Sequence, residues 1–95
     1  MKGGVAIVTG GGTGIGAAVV RRLADRGVRC VINYAHSRDD AEALAAELGD
    51  MAVAVQADIV DDAQCRKLAQ AAQDRWGRLD FLVNNAGRTK FANHE

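Results

Sequence analysis

Thr9-Gly10-Gly11-Gly12-Thr13-Gly14-Ile15-Gly16 follows a short apolar run, Val5-Ala6-Ile7-Val8, and opens a segment with helical periodicity. A strand, a glycine-rich turn and a helix in that order form a phosphate site. Glycines let the backbone approach a diphosphate closely, and a helix N-terminus offers free N–H groups at the positive end of its dipole. The plain G-x-G-x-x-G spacing is not met. Gly12-x-Gly14-x-x-Ala17 fits only the variant with a final alanine and starts late in the loop, so Thr9-Gly10-x-x-x-Gly14-x-Gly16 is the better description. A Walker A loop is excluded, because Ala17 stands where lysine is required. A turn that merely joined strand to helix would not need so many glycines, each of which costs about 0.5–1 kcal/mol in conformational entropy. The loop therefore predicts a bound nucleotide.

Outward from the loop the chain alternates. Strand-like runs at 5–9, 29–34, 52–57 and 81–84 are short, apolar and rich in β-branched residues, as in parallel strands covered on both faces. Helix-like runs lie near 14–26, 38–48 and 62–76. In the second, Ala41, Leu44, Ala45 and Leu48 recur at helical spacing, and in the third Cys65, Leu68, Ala72 and Trp76 do much the same. Gly27, Gly49 and Gly77 follow the three helices, where a left-handed residue is expected. Ser37 with Asp40, and Asp61 or Asp62, are the expected N-terminal caps. The order is βαβαβαβ, which predicts an α/β Rossmann-type doubly wound parallel sheet of four strands and three helices. Residues 1–95 read as a single domain with no repeat, linker or proline. The tail 88–95 lacks periodicity, and Phe91 is its one large apolar residue.

The loop pattern Thr-Gly-x-x-x-Gly-x-Gly resembles the classical short-chain dehydrogenase/reductase family, and in particular its 3-oxoacyl-[acyl-carrier-protein] reductase-like members. Two later motifs agree. Trp76-Gly77-Arg78-Leu79-Asp80-Phe81-Leu82-Val83-Asn84-Asn85-Ala86-Gly87 is similar to the family's fourth strand with its Asn-Asn-Ala-Gly ending, and Asp58-Ile59 is similar to its adenine-contacting Asp-Val pair. The resemblance covers residues 5–87 and implies a nicotinamide dinucleotide. On that expectation Gly10, Gly12, Thr13, Gly14, Ile15 and Gly16 hold the diphosphate, Asp58 and Ile59 hold adenine, and Asn85, Ala86 and Gly87 line the ribose side. Asn84 is expected to be mainly structural, and Asp58 could also simply cap a turn.

Dinucleotide sites specific for NAD place an acid at the end of the second strand, about 20 residues past the glycines. Here that place reads Asn33-Tyr34-Ala35-His36-Ser37-Arg38, with no acid. Ser37 can donate to a 2′-phosphate and Arg38 can add charge, so Tyr34, Ser37 and Arg38 are expected around the adenosine 2′-position, with NADP preferred and NAD possible. Thr13 stands where many NADP-dependent members carry a base, and Ser37 also fits a helix-capping pattern.

The family's chemistry uses a tyrosine acid/base, with a lysine four residues later that lowers a pKa otherwise near about 10. The one tyrosine here is Tyr34, residue 38 is arginine, and no Tyr-x-x-x-Lys exists, so no catalytic residue is assigned. The resemblance thus implies the cofactor-binding half of an oxidoreductase that moves hydride between NADP(H) and a small carbonyl or alcohol, as a homodimer or homotetramer. A stand-alone dinucleotide-binding module or truncated relic is the alternative. A sheet ending at 81–84 would expose an apolar edge.

Charges balance at 12 basic and 12 acidic residues, which gives no basis for nucleic-acid or acidic-membrane binding. Cys30 and Cys65 lack metal or redox spacing and read as buried reduced thiols. The N-terminal apolar run is too short for a signal peptide or membrane span, so a cytoplasmic protein is expected. A methyltransferase of related fold usually carries an acid ending the second strand, and a flavodoxin-like signalling domain needs an early acidic cluster or a phosphate loop of hydroxyl residues; none of these is present.

Overall fold

Strand β1 (Val5–Thr9) sits where its composition demands, with every residue buried and both of its faces covered. The computed structural model describes residues 3–12 and 14–85. After β1 come α1 (Gly14–Asp25), β2 (Arg29–Tyr34), α2 (Arg38–Leu48), a single 3-10 turn (Gly49–Met51), β3 (Ala52–Gln56), α3 (Asp62–Trp76) and β4 (Phe81–Asn84). All strand pairs are parallel and the sheet order is β3-β2-β1-β4. The expected α/β Rossmann-type sheet is the observed one.

Alternation along the strands divides the core into two layers. Val8, Cys30, Ile32 and Tyr34 face α1 and α2, where they meet Ala17, Val20, Ala41 and Leu44. Val5, Ile7 and Val31 face the other way, onto Cys65, Leu68 and Ala72 of α3. Both thiols are buried, and burial pushes the Cys30 thiol up to about 11, which keeps it protonated and inert. Trp76 is half-buried against the α3 layer, as its helical spacing predicts.

The helix ends differ in detail from the sequence expectation. Asp61 caps α3, its carboxylate accepting from the Ala63 N–H at 2.9 Å. Ser37 occupies the N-cap position of α2, but its side chain makes no capping bond; only its carbonyl accepts, from the Ala41 N–H at 3.1 Å. Gly77 is left-handed (φ 74°, ψ 11°), whereas Gly49 has φ 62° and ψ −127° and leads into the 3-10 turn instead of closing a left-handed cap. β3 ends one residue early, at Gln56, although the Ala57 N–H still donates to the Tyr34 carbonyl at 2.9 Å.

β1 has β2 on one side and β4 on the other, so the strand order reverses at β1. In open α/β sheets ligands bind outside the carboxyl ends of the strands at such a reversal. The glycine loop is the loop leaving β1 at that point. β4 forms an outer edge of the sheet, and Phe81 and Leu82 each remain 38% exposed on it.

Candidate functional site

The glycine loop is pulled back onto the sheet at its start. Gly10 takes φ 61°, which a residue with a Cβ rarely adopts. Its N–H donates to Asn33 Oδ1 at 3.3 Å, and the next N–H, of Gly11, donates to the Asn33 carbonyl at 3.1 Å. The Gly10 carbonyl accepts from Asn85 Nδ2 at 3.2 Å. Gly10 thus contributes geometry, because its own polar groups already have protein partners.

The donors left for a ligand are the first-turn N–H groups of α1, which no helix carbonyl can accept. They lie at the positive end of the helix dipole, and that turn carries no acidic residue to compete for it. Ile15 is 74% exposed beside them. At Gly16 a Cβ would land on the Gly10 carbonyl oxygen and lie 2.7 Å from Asn85 Nδ2. At Gly12 a Cβ would press on the Ala41 backbone of α2 at 3.1 Å. Glycine is required at Gly16 for the loop to fold this tightly, whereas a side chain at Gly12 would make α2 give by a few tenths of an ångström.

The end of β4 is stitched to the end of β1. The buried Thr9 Oγ1 accepts the Asn85 N–H at 3.0 Å and lies 3.3 Å from Asn84 Oδ1 and 3.4 Å from the Val83 carbonyl, to either of which its hydroxyl donates. Asn84 Oδ1 thus lies within reach of the Thr9 hydroxyl on the neighbouring strand. Asn85, expected on the ribose side, uses its side-chain amide to hold the loop at Gly10.

Beyond β2 the expected 2′-position residues separate. Tyr34 packs inward with Ala41 and Leu44 and is 8% exposed. The run from Ala35 to Asp40 is exposed. In it the Ser37 hydroxyl makes no capping bond, and Arg38 makes no ion pair among the described residues. Beyond β3, Asp58 does cap a turn, its Oδ1 accepting the Val60 N–H at 3.2 Å, while its own N–H donates to Gln64 Oε1 at 2.7 Å. Ile59 points into the core against α3, and its carbonyl accepts from Cys65 Sγ at 3.1 Å. Val60, 48% exposed, stands at the same end.

Thr13, Ala86 and Gly87 lie outside the described residues. Among the described residues there is no group of side chains able to hold a metal ion, and no helix long and apolar enough to cross a membrane. The residue that sequence reasoning passed over is Asn33. It is 3% exposed, and besides its two loop contacts its Nδ2 donates to the Ala57 carbonyl at 3.0 Å. The available signal was parity: Asn33 shares a strand face with Val31, so an amide was bound for a buried face beside a glycine turn.

The short chain dehydrogenase family profile matches residues 4–95. The chain belongs to the short-chain dehydrogenase family. A Streptomyces violaceoruber protein of the granaticin polyketide synthase, named as a ketoacyl reductase, is 50% identical over 90 residues, covering 95% of this chain and 36% of the relative. Versicolorin reductase 1 of Aspergillus parasiticus is 43% identical over 94 residues, covering 96% of this chain and 36% of the relative. Among solved structures, a variant of the Serratia marcescens short-chain dehydrogenase/reductase superposes with a TM-score of 0.83 at 43% identity, over 93% of this chain and 37% of that one. The chain therefore spans little more than a third of the length of these relatives.

Membership in a short-chain dehydrogenase family implies a nicotinamide dinucleotide cofactor. The site fits one. Gly16 lets α1 close against the Gly10 carbonyl and the Asn85 amide, and the first turn of α1 presents N–H donors with no acid among them.

Proposed function

We propose that this chain is the cofactor-binding half of an NADP(H)-preferring short-chain dehydrogenase/reductase acting on a small carbonyl or alcohol. The observation that carries the reading is the division of labour in the glycine loop. Gly10 and Gly11 turn their N–H groups onto Asn33, so the loop is fixed before any ligand arrives and the donors of α1 face outward. When bound, the nicotinamide supplies or accepts the hydride. The chain's own residues bind and orient it: Gly12 to Gly16 at the diphosphate, Asp58 toward adenine, and Asn85 to Gly87 on the ribose side.

The 2′-position supports NADP. No acid ends β2, Tyr34 is turned into the core, and the exposed groups that follow are the Ser37 hydroxyl and the Arg38 guanidinium. Neither has a capping or ion-pair partner among the described residues, so both are available to a 2′-phosphate. Asp58 keeps one carboxylate oxygen beyond the turn it caps, which suits the exocyclic amine of adenine. For Ile59 the side chain is in the core, so its part is a backbone one.

The reductase names of the relatives support carbonyl reduction as the direction. No acid/base residue is assigned within this sequence, since Tyr34 is its one tyrosine and is buried. A cytoplasmic homodimer or homotetramer accompanies this reading by family likeness. Replacing Arg38→Asp tests the cofactor assignment. A charged hydrogen bond contributes about 1.5–3 kcal/mol, so NADPH binding is expected to weaken roughly tenfold or more while NADH binding changes little. Equal weakening of both, or of neither, would overturn the NADP preference.

A further inference from the structure

Asn33 joins two regions that the chain otherwise leaves to separate loops. Its side chain is buried at the carboxyl end of β2, and its amide is used at both ends. Oδ1 accepts from the Gly10 N–H at 3.3 Å, and Nδ2 donates to the Ala57 carbonyl at 3.0 Å. Gly10 opens the glycine loop, and Ala57 immediately precedes Asp58. An amide group is planar and rigid, with an acceptor and a donor a fixed distance apart. One side chain thus bridges the glycine loop to the turn after β3 directly, beside the backbone bond from the Ala57 N–H to the Tyr34 carbonyl at 2.9 Å. The Asn33 carbonyl adds a second hold on the loop through the Gly11 N–H at 3.1 Å.

We infer that Asn33 is a positioning residue that keeps the diphosphate and adenine subsites in register. The inference rests on the dinucleotide reading above and deepens it. A serine or an aliphatic residue would fill part of the volume but could not span from Gly10 to Ala57. Without the amide each subsite can still form, because the loop keeps its Asn85 bond and Asp58 keeps its Val60 and Gln64 bonds. What is lost is the side-chain bridge between them, leaving only the backbone bonds of Gly11 to Asn33 and of Ala57 to Tyr34 to hold each to β2. A ligand that reaches across both subsites then loses affinity, and a ligand confined to one does not.

The test compares two ligands on the full-length protein that carries this chain. NADPH spans both subsites, whereas 2′-AMP occupies only the adenosine side. For Asn33→Ala, the NADPH dissociation constant is expected to rise about tenfold, the scale of one or two lost hydrogen bonds, while that of 2′-AMP stays within about twofold. A uniform loss of fold would weaken both alike, so the ratio of the two changes is the readout. Asn33→Ser stays closer to native stability, cannot span from Gly10 to Ala57 either, and is expected to show the same selective loss of NADPH over 2′-AMP; it replaces Asn33→Ala if thermal melting shows the latter unfolded. Equal weakening of both ligands, or unchanged NADPH binding, would overturn the role of Asn33. Failure of the unmodified protein to bind any nicotinamide dinucleotide would overturn the dinucleotide reading as well, and is distinguished because it needs no variant.

Discussion

The β1–β4 pair is tied by polar side chains at both ends, and the two ties differ in what they leave over. At the amino end Asp80 closes everything on itself. Its Oδ2 accepts the Val5 N–H at 2.9 Å, the Arg78 guanidinium clasps both carboxylate oxygens at 2.9 Å, and the Asp80 N–H donates to the Val5 carbonyl at 2.8 Å. At the carboxyl end Thr9, Asn33 and Asn85 turn the start of the glycine loop inward and leave the next backbone donors, on α1, facing out. The same two strands thus carry a closed tie that serves stability and an open one that also prepares a surface. Polar groups at a sheet end are informative through the donors they leave unmatched, more than through their number.

If that distinction is right, damage at the open end must reach ligand binding and damage at the closed end must not. The largest effect is expected at Gly16→Val. The side chain would collide with the Gly10 carbonyl and the Asn85 amide, two fixed parts of the loop. Overpacking of this kind costs about 1–3 kcal/mol, and displaced donors add to it, so dinucleotide affinity should fall about a hundredfold or more in an equilibrium titration. Binding near that of the unmodified protein would mean that α1's first turn is not the diphosphate site.

A smaller and mixed effect is expected at Thr9→Val. The shape is kept, but the Asn85 N–H loses its shorter acceptor at a part-buried position and keeps only the Val83 carbonyl at 3.2 Å. Stability should drop by about 1–3 kcal/mol in denaturant unfolding, and dinucleotide binding should weaken as Asn85 loosens its hold on Gly10. A loss of stability with binding untouched would place Thr9 with the closed tie.

The smallest effect is expected at Asp80→Asn, and it should be visible mainly through pH. The hydrogen bond from Arg78, followed by the one from the Val5 N–H, holds the Asp80 carboxyl below the usual carboxylate range. A carboxylate with a depressed folded-state pKa stabilises the fold above its unfolded value of about 3.9 and loses that contribution as pH falls through the folded value. At neutral pH the variant should therefore melt slightly below the unmodified protein, with the gap closing in acid and with dinucleotide affinity unchanged. A gap that persists in strong acid would show that the charge on Asp80 is not its source.

Most of the fold was legible because its signals are local. β-branched apolar runs separated by helical spacing, and a glycine after each helix, mark the elements within a residue or two, from β1 to Trp76. The glycine loop was legible for the same reason. The parts that were not legible depend on partners distant along the chain. Nothing near Asn33 announces that its amide will span from Gly10 to Ala57. Nothing near Asn85 announces the Gly10 carbonyl. Ser37 carries a capping pattern, yet the backbone entering α2 does not let its hydroxyl reach the helix. Tyr34 lay within reach of reasoning, since it shares its strand face with Ile32 and Cys30 and so turns inward with them.

The most direct test of the central claim is an amide shift map of the isotope-labelled protein titrated with NADPH. The two ends of the β1–β4 pair then report side by side in one experiment. The account predicts that the amides of Gly10, Gly12 and Gly14 to Ala17 move with added ligand, while those of Val5, Arg78 and Asp80 stay in place. Shifts centred on the Asp80 end, or none at the glycine loop, would contradict it.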